Sequence, residues 1–174
     1  TQSTEAKVNV VTPTLFDQFS TPSDFAEAHR VQIEQIIRPV GFYRQKAKFV
    51  QETSRILVDL HDGHVPSDLA TLIQLPGVAR KTANTVLAEV YEIAEGISVD
   101  THVHRVSNRL GLSKGKNATK VENDLMKISD QDDWIELSHL FMEHGQKVCH
   151  VRRPNCRACA LKDLCPSAQN LPEA

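Results

Sequence analysis

All four cysteines of this chain fall within its last 26 residues, as Cys149, Cys156, Cys159 and Cys165 in the spacing C-x6-C-x2-C-x5-C. Four thiols on so short a stretch can converge on one centre, and a segment tied to such a centre has no need of regular structure. Nothing in the opening residues, Thr1-Gln2-Ser3-Thr4-Glu5, reads as a secretion signal, and a reducing compartment disfavours disulfides. The spacing therefore points to metal, with an iron–sulfur cluster and a structural zinc both open. Zinc sites usually bring two close pairs of ligands, and only Cys156 and Cys159 form such a pair.

Ahead of the cysteines the apolar pattern is helical almost throughout. Ser23 is read as the cap of a helix opening at Asp24, with Phe25, Ile33, Ile36 and Ile37 as its stripe, interrupted at Pro39 and Gly41. A second helix is expected from Tyr43 to His61, stopping near Gly63, and Pro66-Ser67 offers a cap for Asp68 to Gln74. Helices follow over Arg80–Ile93, over Thr101–Leu110 behind Asp100, over Ala118–Ile128 behind Asn117, and from Asp132 or Asp133 to about Val148. No alternation of period two is convincing. Gly96-Ile97-Ser98-Val99 reads as a crossing segment, so the expected class is all-α.

Apolar residues make up 40% and charged residues 24% of 174, an ordinary globular balance with no apolar run near the roughly 20 residues that span a bilayer. The net charge of −2 does not announce a nucleic-acid partner, but its distribution is uneven. From His144 to Lys162 no Asp or Glu occurs, while Lys147, Arg152, Arg153, Arg157 and Lys162 are basic. A solvated basic face would look the same, and the cysteines among these residues shift the balance between that face and a binding loop.

A second motif is Leu75-Pro76-Gly77-Val78-Ala79-Arg80-Lys81-Thr82-Ala83. A Pro-Gly turn running straight into a helix leaves backbone N–H groups outward at the positive end of the helix dipole, a phosphate site indifferent to sequence. The same turn is also an ordinary connector. Lys81 stands in the first turn beside Arg80, where dipole and neighbouring cation both disfavour the ammonium form and favour a nucleophilic amine. Asp100 opens the Val99-Asp100-Thr101-His102 segment as a helix cap able to stay ionised.

Together these motifs resemble the endonuclease III family of DNA glycosylases. The cysteine spacing is similar to the family's [4Fe–4S] loop, residues 75–83 to its helix-hairpin-helix signature L-P-G-V-G-R-K-T-A, and residues 99–102 to its V-D-T-H segment. Ala79 departs from the signature's second glycine, so the turn is expected to differ slightly there. The resemblance runs from Gln2 to Pro166. It implies a two-lobed helical fold, with a helical barrel domain carrying the hairpin over residues 1–95 and a helical cluster domain over 96–174.

It further implies a base-excision enzyme with AP lyase activity, taking oxidised pyrimidines from duplex DNA and cutting on the 3′ side of the abasic site. Lys81 would be the nucleophile and Asp100 its partner, and Cys149, Cys156, Cys159 and Cys165 would hold the cluster. Gly77, Val78, Ala79, Arg80, Lys147, Arg152, Arg153 and Arg157 would meet DNA backbone. Gln2 resembles a glutamine that fills the gap left by the flipped base, and Phe42 occupies the position of an apolar wedge. Family members begin earlier in sequence, so the resemblance implies either missing upstream residues or an exposed apolar seam. It also implies a monomer acting on DNA in a bacterial or archaeal cytoplasm. A mismatch glycosylase of the same fold, a DNA-binding module without chemistry and a zinc-stabilised interaction domain are the competing readings; Lys81 argues against the first.

Overall fold

The computed structural model describes residues 5–168. Among them every regular element is a helix, and they divide into two compact units, Thr1–Ala79 and Arg80–Ala174. The division falls after the hairpin turn, ahead of the 95/96 boundary expected from sequence. Its physical basis is the helix that follows the turn, whose Arg80 and Asn84 bond to Glu122 and so belong with the later residues.

The first unit contains α1 (Glu5–Gln18), α2 (Pro22–Glu27), α3 (Arg30–Ile36), α4 (Tyr43–His61) and the short α5 (Leu69–Leu72). Helix α1 has no counterpart in the sequence expectations. Pro13 lies inside it, and its apolar residues are not confined to one stripe: Val11 and Leu15 are buried while Val10 and Phe16 are exposed. Its buried pair joins Phe19, Phe25, Ile33, Ile37, Val40 and Ala47 in one core.

The single helix expected from Asp24 is instead two. Thr21, not Ser23, is the cap: its Oγ1 accepts the Asp24 N–H at 3.2 Å, and the Asp24 carboxylate accepts the N–H groups of Thr21 and Ser20 at 2.8 and 2.9 Å. Pro22 explains the shift, because its fixed φ and missing N–H suit the first helical position and leave the preceding residue to cap. The chain then turns extended at Ala28, and α3 starts anew behind His29, whose N–H is taken by the Gln32 side chain. Helix α4 spans the residues expected of it and ends in two left-handed residues, Asp62 and Gly63. Helix α5 is capped by Asp68 itself and stops at Leu72, shorter than Asp68–Gln74.

The second unit contains α6 (Arg80–Tyr91), α7 (Thr101–Arg109), α8 (Ala118–Met126), a 3₁₀ turn at Gln131–Asp133, and α9 (Trp134–Lys147). Asp100 and Asn117 cap α7 and α8 through their side chains. Residues 94–99 cross between α6 and α7 without pairing as a strand, and bury Ile97 and Val99 against Val103, Val121 and Leu125. Gly145 of α9 permits close approach to α7: a Cβ there would lie 2.7 Å from that of His102. Beyond Lys147 the described residues form turns and bends only.

Candidate active site and cysteine loop

Lys81 and Asp100 line one cavity of about 100 Å³ in the second unit. Lys81 reaches it from the first turn of α6 and Asp100 from the cap of α7. The cavity takes its remaining wall from α6, the crossing segment and α9, including Thr85, Glu89, Ser98, Ser138, His139 and Met142.

The way Asp100 bonds matters for its chemistry. Both the His102 and the Val103 N–H groups donate to the same carboxylate oxygen, Oδ1, each at 2.8 Å. One oxygen thus caps the helix, and no described residue takes up the other. Lys81 forms no ion pair among the described residues, and no acidic side chain stands in the first turn of α6. Its carbonyl accepts the Thr85 hydroxyl at 2.9 Å, and that hydroxyl oxygen lies 3.2 Å from Ser98 Oγ.

Arg80, expected to meet DNA backbone, is bonded within the second unit. Its Nε donates to both oxygens of the buried Glu122 carboxylate at 3.0 and 2.8 Å, which holds the guanidinium firmly protonated. Asn84 Nδ2 donates to the same carboxylate at 2.8 Å. Gly96 is the residue this arrangement requires, because a Cβ there would stand 2.3 Å from Glu122 Oε1. Sequence reasoning missed Glu122; the only signal was an acid beside Val121 and Leu125 on a helix face that is otherwise core.

The hairpin turn belongs to the first unit. Gly77 adopts φ +78°, and a Cβ on it would meet Phe49 at 2.5 Å, so glycine is required twice over. Val78 N–H closes the turn on Leu75 O at 3.0 Å. Ala79 does not have a positive φ, so its methyl is accommodated without left-handed strain. Phe42 is 67% exposed and itself left-handed at φ 57°, and it lines one open depression with Phe49, Pro76, Gly77 and Val78. The wedge candidate and the hairpin turn therefore share a face of that unit. Gln2 lies outside the described residues.

The four cysteines line a second cavity, with Val106, Leu110, Val148 and Pro154 among its apolar walls. None is in a disulfide. The Cys156 thiol is pushed up by burial and by the proximity of Cys149, Cys159 and Cys165. No group of three or more His, Cys, Asp or Glu among the described residues is gathered closely enough to hold a single metal ion.

Two arginines of α7 fasten this loop. Arg105 donates to Cys149 O at 2.9 Å and Gly145 O at 2.8 Å; Arg109 donates to His150 O at 2.6 Å, Val151 O at 2.8 Å and the Cys149 sulfur at 3.2 Å. Neither was singled out from sequence, although their spacing of four puts both on one face of a helix. Of the basic residues expected at DNA, Arg152, Arg153 and Arg157 are exposed on the loop, while Lys147 pairs with Glu143 one turn back on α9.

Comparison with known proteins places this geometry in context. Residues 1–131 match the model of the HhH-GPD superfamily base excision DNA repair proteins. The chain is 47% identical to the endonuclease III of Synechocystis sp. over 97% of this chain and 77% of that one. It is 38% identical to the Escherichia coli enzyme of the same name over 94% and 77%. A solved structure described as a trapped endonuclease III–DNA covalent intermediate superposes with a TM-score of 0.92 at 39% identity, covering 97% of this chain and 79% of that one. A thermostable thymine-DNA glycosylase, 21% identical, shares the fold with a TM-score of 0.86 over 97% of this chain and 79% of its own. The chain belongs to the HhH-GPD superfamily of base excision DNA repair proteins, within its endonuclease III family.

Proposed function

We propose that the protein excises damaged pyrimidines from duplex DNA through Lys81, and then cleaves the strand at the resulting abasic site. The observation that carries the reading is the cavity lined by both an amine without an ion pair and a carboxylate with an uncommitted oxygen.

A base stacked in a duplex is out of reach, so the nucleotide is first extruded. Lys81 attacks C1′ of the sugar through its nitrogen lone pair, and the glycosidic electron pair leaves with the base. Asp100, fixed at Oδ1 by two backbone N–H bonds, faces the developing positive charge on the sugar; its second oxygen takes the proton released by the attacking Lys81 nitrogen and passes it to the departing base. Opening of the sugar ring converts the bond at C1′ to an imine. Removal of a proton at C2′ then expels the 3′ phosphate by β-elimination, and water releases Lys81.

Cys149, Cys156, Cys159 and Cys165 are read as the ligands of a [4Fe–4S] cluster. Four free thiols lining one shared cavity are a donor set that fits such a centre. When bound, the cluster supplies four metal–thiolate bonds that tie the loop. Arg105 and Arg109 hold the same loop from α7, and Arg152, Arg153 and Arg157 stand on it as phosphate contacts. Gly77 and Ala79 offer backbone N–H groups to phosphate from the turn that the Val78 N–H closes on Leu75 O, and Phe42 offers the wedge. The residue 95/96 lobe boundary and the Gln2 role rest on the resemblance alone. The relatives are bacterial, and no helix among the described residues is long and apolar enough to cross a membrane.

Borohydride trapping on abasic duplex tests the reading. The wild-type protein should form a covalent adduct, and Lys81→Ala should lose it. An undiminished adduct in that variant would overturn the assignment.

A further inference from the structure

The cavity that holds Lys81 and Asp100 has one pair of side chains that the reaction does not use. Glu89, one face of α6 along from Lys81, and His139 of α9 both line it, and His139 Nε2 lies 2.6 Å from Glu89 Oε1. We propose that Glu89 and His139 read the hydrogen-bonding edge of the extruded base and set the preference among damaged pyrimidines. This rests on the reaction reading above.

The argument is one of position and of what remains free to bond. C1′ has to stand between Lys81 and Asp100, and the base hangs from C1′, so it enters the rest of the same cavity. The polar groups there are Thr85, Ser98, Ser138, Glu89 and His139. Three of these are committed. Thr85 donates to Lys81 O at 2.9 Å and contacts Ser98 Oγ at 3.2 Å. Ser138 donates to Trp134 O at 2.9 Å and accepts the Ser98 N–H at 3.0 Å. Among the described residues Glu89 and His139 hold each other and no further partner, and their side chains are 52% and 50% exposed. A hydrogen-bonded pair so open to water contributes little and is readily exchanged for a ligand.

The chemistry of the pair selects the ligand. A carboxylate accepts hydrogen bonds only, so Glu89 matches a ring N–H; an imidazole N–H donates, so His139 matches a carbonyl oxygen. An N–H beside a C=O is the imide edge of a uracil-type base. A cytosine-type base presents an acceptor nitrogen beside an amino group, which faces the same two side chains with the wrong polarity. Mismatched polar groups are what hydrogen-bonding sites reject most strongly.

The test compares duplexes carrying 5-hydroxyuracil and 5-hydroxycytosine, bases with the same oxidation that differ at this edge. Single-turnover base release gives the preference as a ratio of rates. Wild type should favour 5-hydroxyuracil. Glu89→Ala and His139→Ala should each lower that ratio about tenfold, as expected for loss of a hydrogen bond to a charged group. Glu89→Gln brings an amide that can donate to the acceptor nitrogen, so it should move the ratio toward 5-hydroxycytosine further than Glu89→Ala does. A merely structural pair would slow both substrates alike. Ratios unchanged in all three variants, with their thermal unfolding intact, would overturn the proposal. Failure of the wild-type protein to trap on abasic duplex, where no base is present to be read, would instead overturn the reaction reading on which it rests.

Discussion

In the proposed reaction Asp100 divides its carboxylate between two tasks, helix cap and charge partner, and the division makes them separable. Oδ1 takes both helix N–H bonds, so an amide in its place can keep the cap while losing the charge. Asp100→Asn should therefore leave the melting temperature nearly unchanged and lower base release by about a hundredfold or more, the scale seen when a preorganised charge is removed from a reacting centre. Asp100→Ala should lose the same activity and also about 1 kcal/mol of stability, because the cap goes with it. Calorimetry and single-turnover kinetics on the two variants give the answer, and equal destabilisation by both would reduce Asp100 to a cap. At this scale, Lys81 and Asp100 could be picked out as candidates because each sits inside a short motif, and the fold brings both to one cavity. Glu122 was not, since its partner Arg80 lies 42 residues away, and only the fold brings a buried acid to that guanidinium. Arg105 and Arg109 escaped notice for the same reason: their acceptors are carbonyls of the last turn of α9 and of the loop behind it, about 40 positions on.

Helices were legible where a side-chain cap and a one-sided stripe coincide, as for α7 behind Asp100 and α8 behind Asn117. They were misjudged where backbone chemistry overrode the cap pattern. Pro22 moved the start of α2 to the residue after Thr21, and Pro13 together with all-round apolar residues hid α1. The α2 cap carries a pH signature of its own. Hydrogen bonds from Thr21 and Ser20 hold the Asp24 carboxyl below the usual carboxylate range. A carboxylate lowered in the folded state contributes stability above its unfolded value of about 3.9, and that contribution is lost as pH falls through the lower folded value. Asp24→Asn keeps an acceptor oxygen and removes the titration. Its urea midpoint should consequently fall less steeply than that of the wild type as pH is lowered from 5 toward 3. Parallel acid limbs in the two proteins would show that the cap bonds are made equally well by the neutral group.

Taken over the whole molecule, a net charge of −2 conceals how binding to a polyanion is arranged. Nineteen consecutive residues, His144 to Lys162, contain no acid, and the cationic side chains of Arg152, Arg153 and Arg157 are exposed within them. Affinity for DNA should then depend on those few cations and not on the total, with each phosphate contact adding about 0.9 to the slope of log K against log salt. Replacing Arg152 and Arg153 together by Ala should lower that slope by about 2, with little change in melting temperature because both side chains are exposed. Lys147 provides a control of opposite sign. It is tied to Glu143 at the end of α9, an exposed pair one helical turn apart, so its charge is partly neutralised before DNA arrives. Glu143→Gln releases it, and should steepen the slope by up to about one contact while Lys147→Ala does not. Fluorescence anisotropy with an uncleavable abasic analogue across a salt series measures all of these. If the double arginine variant keeps the wild-type slope, the acid-free loop is a solvated face, and the phosphates are met elsewhere.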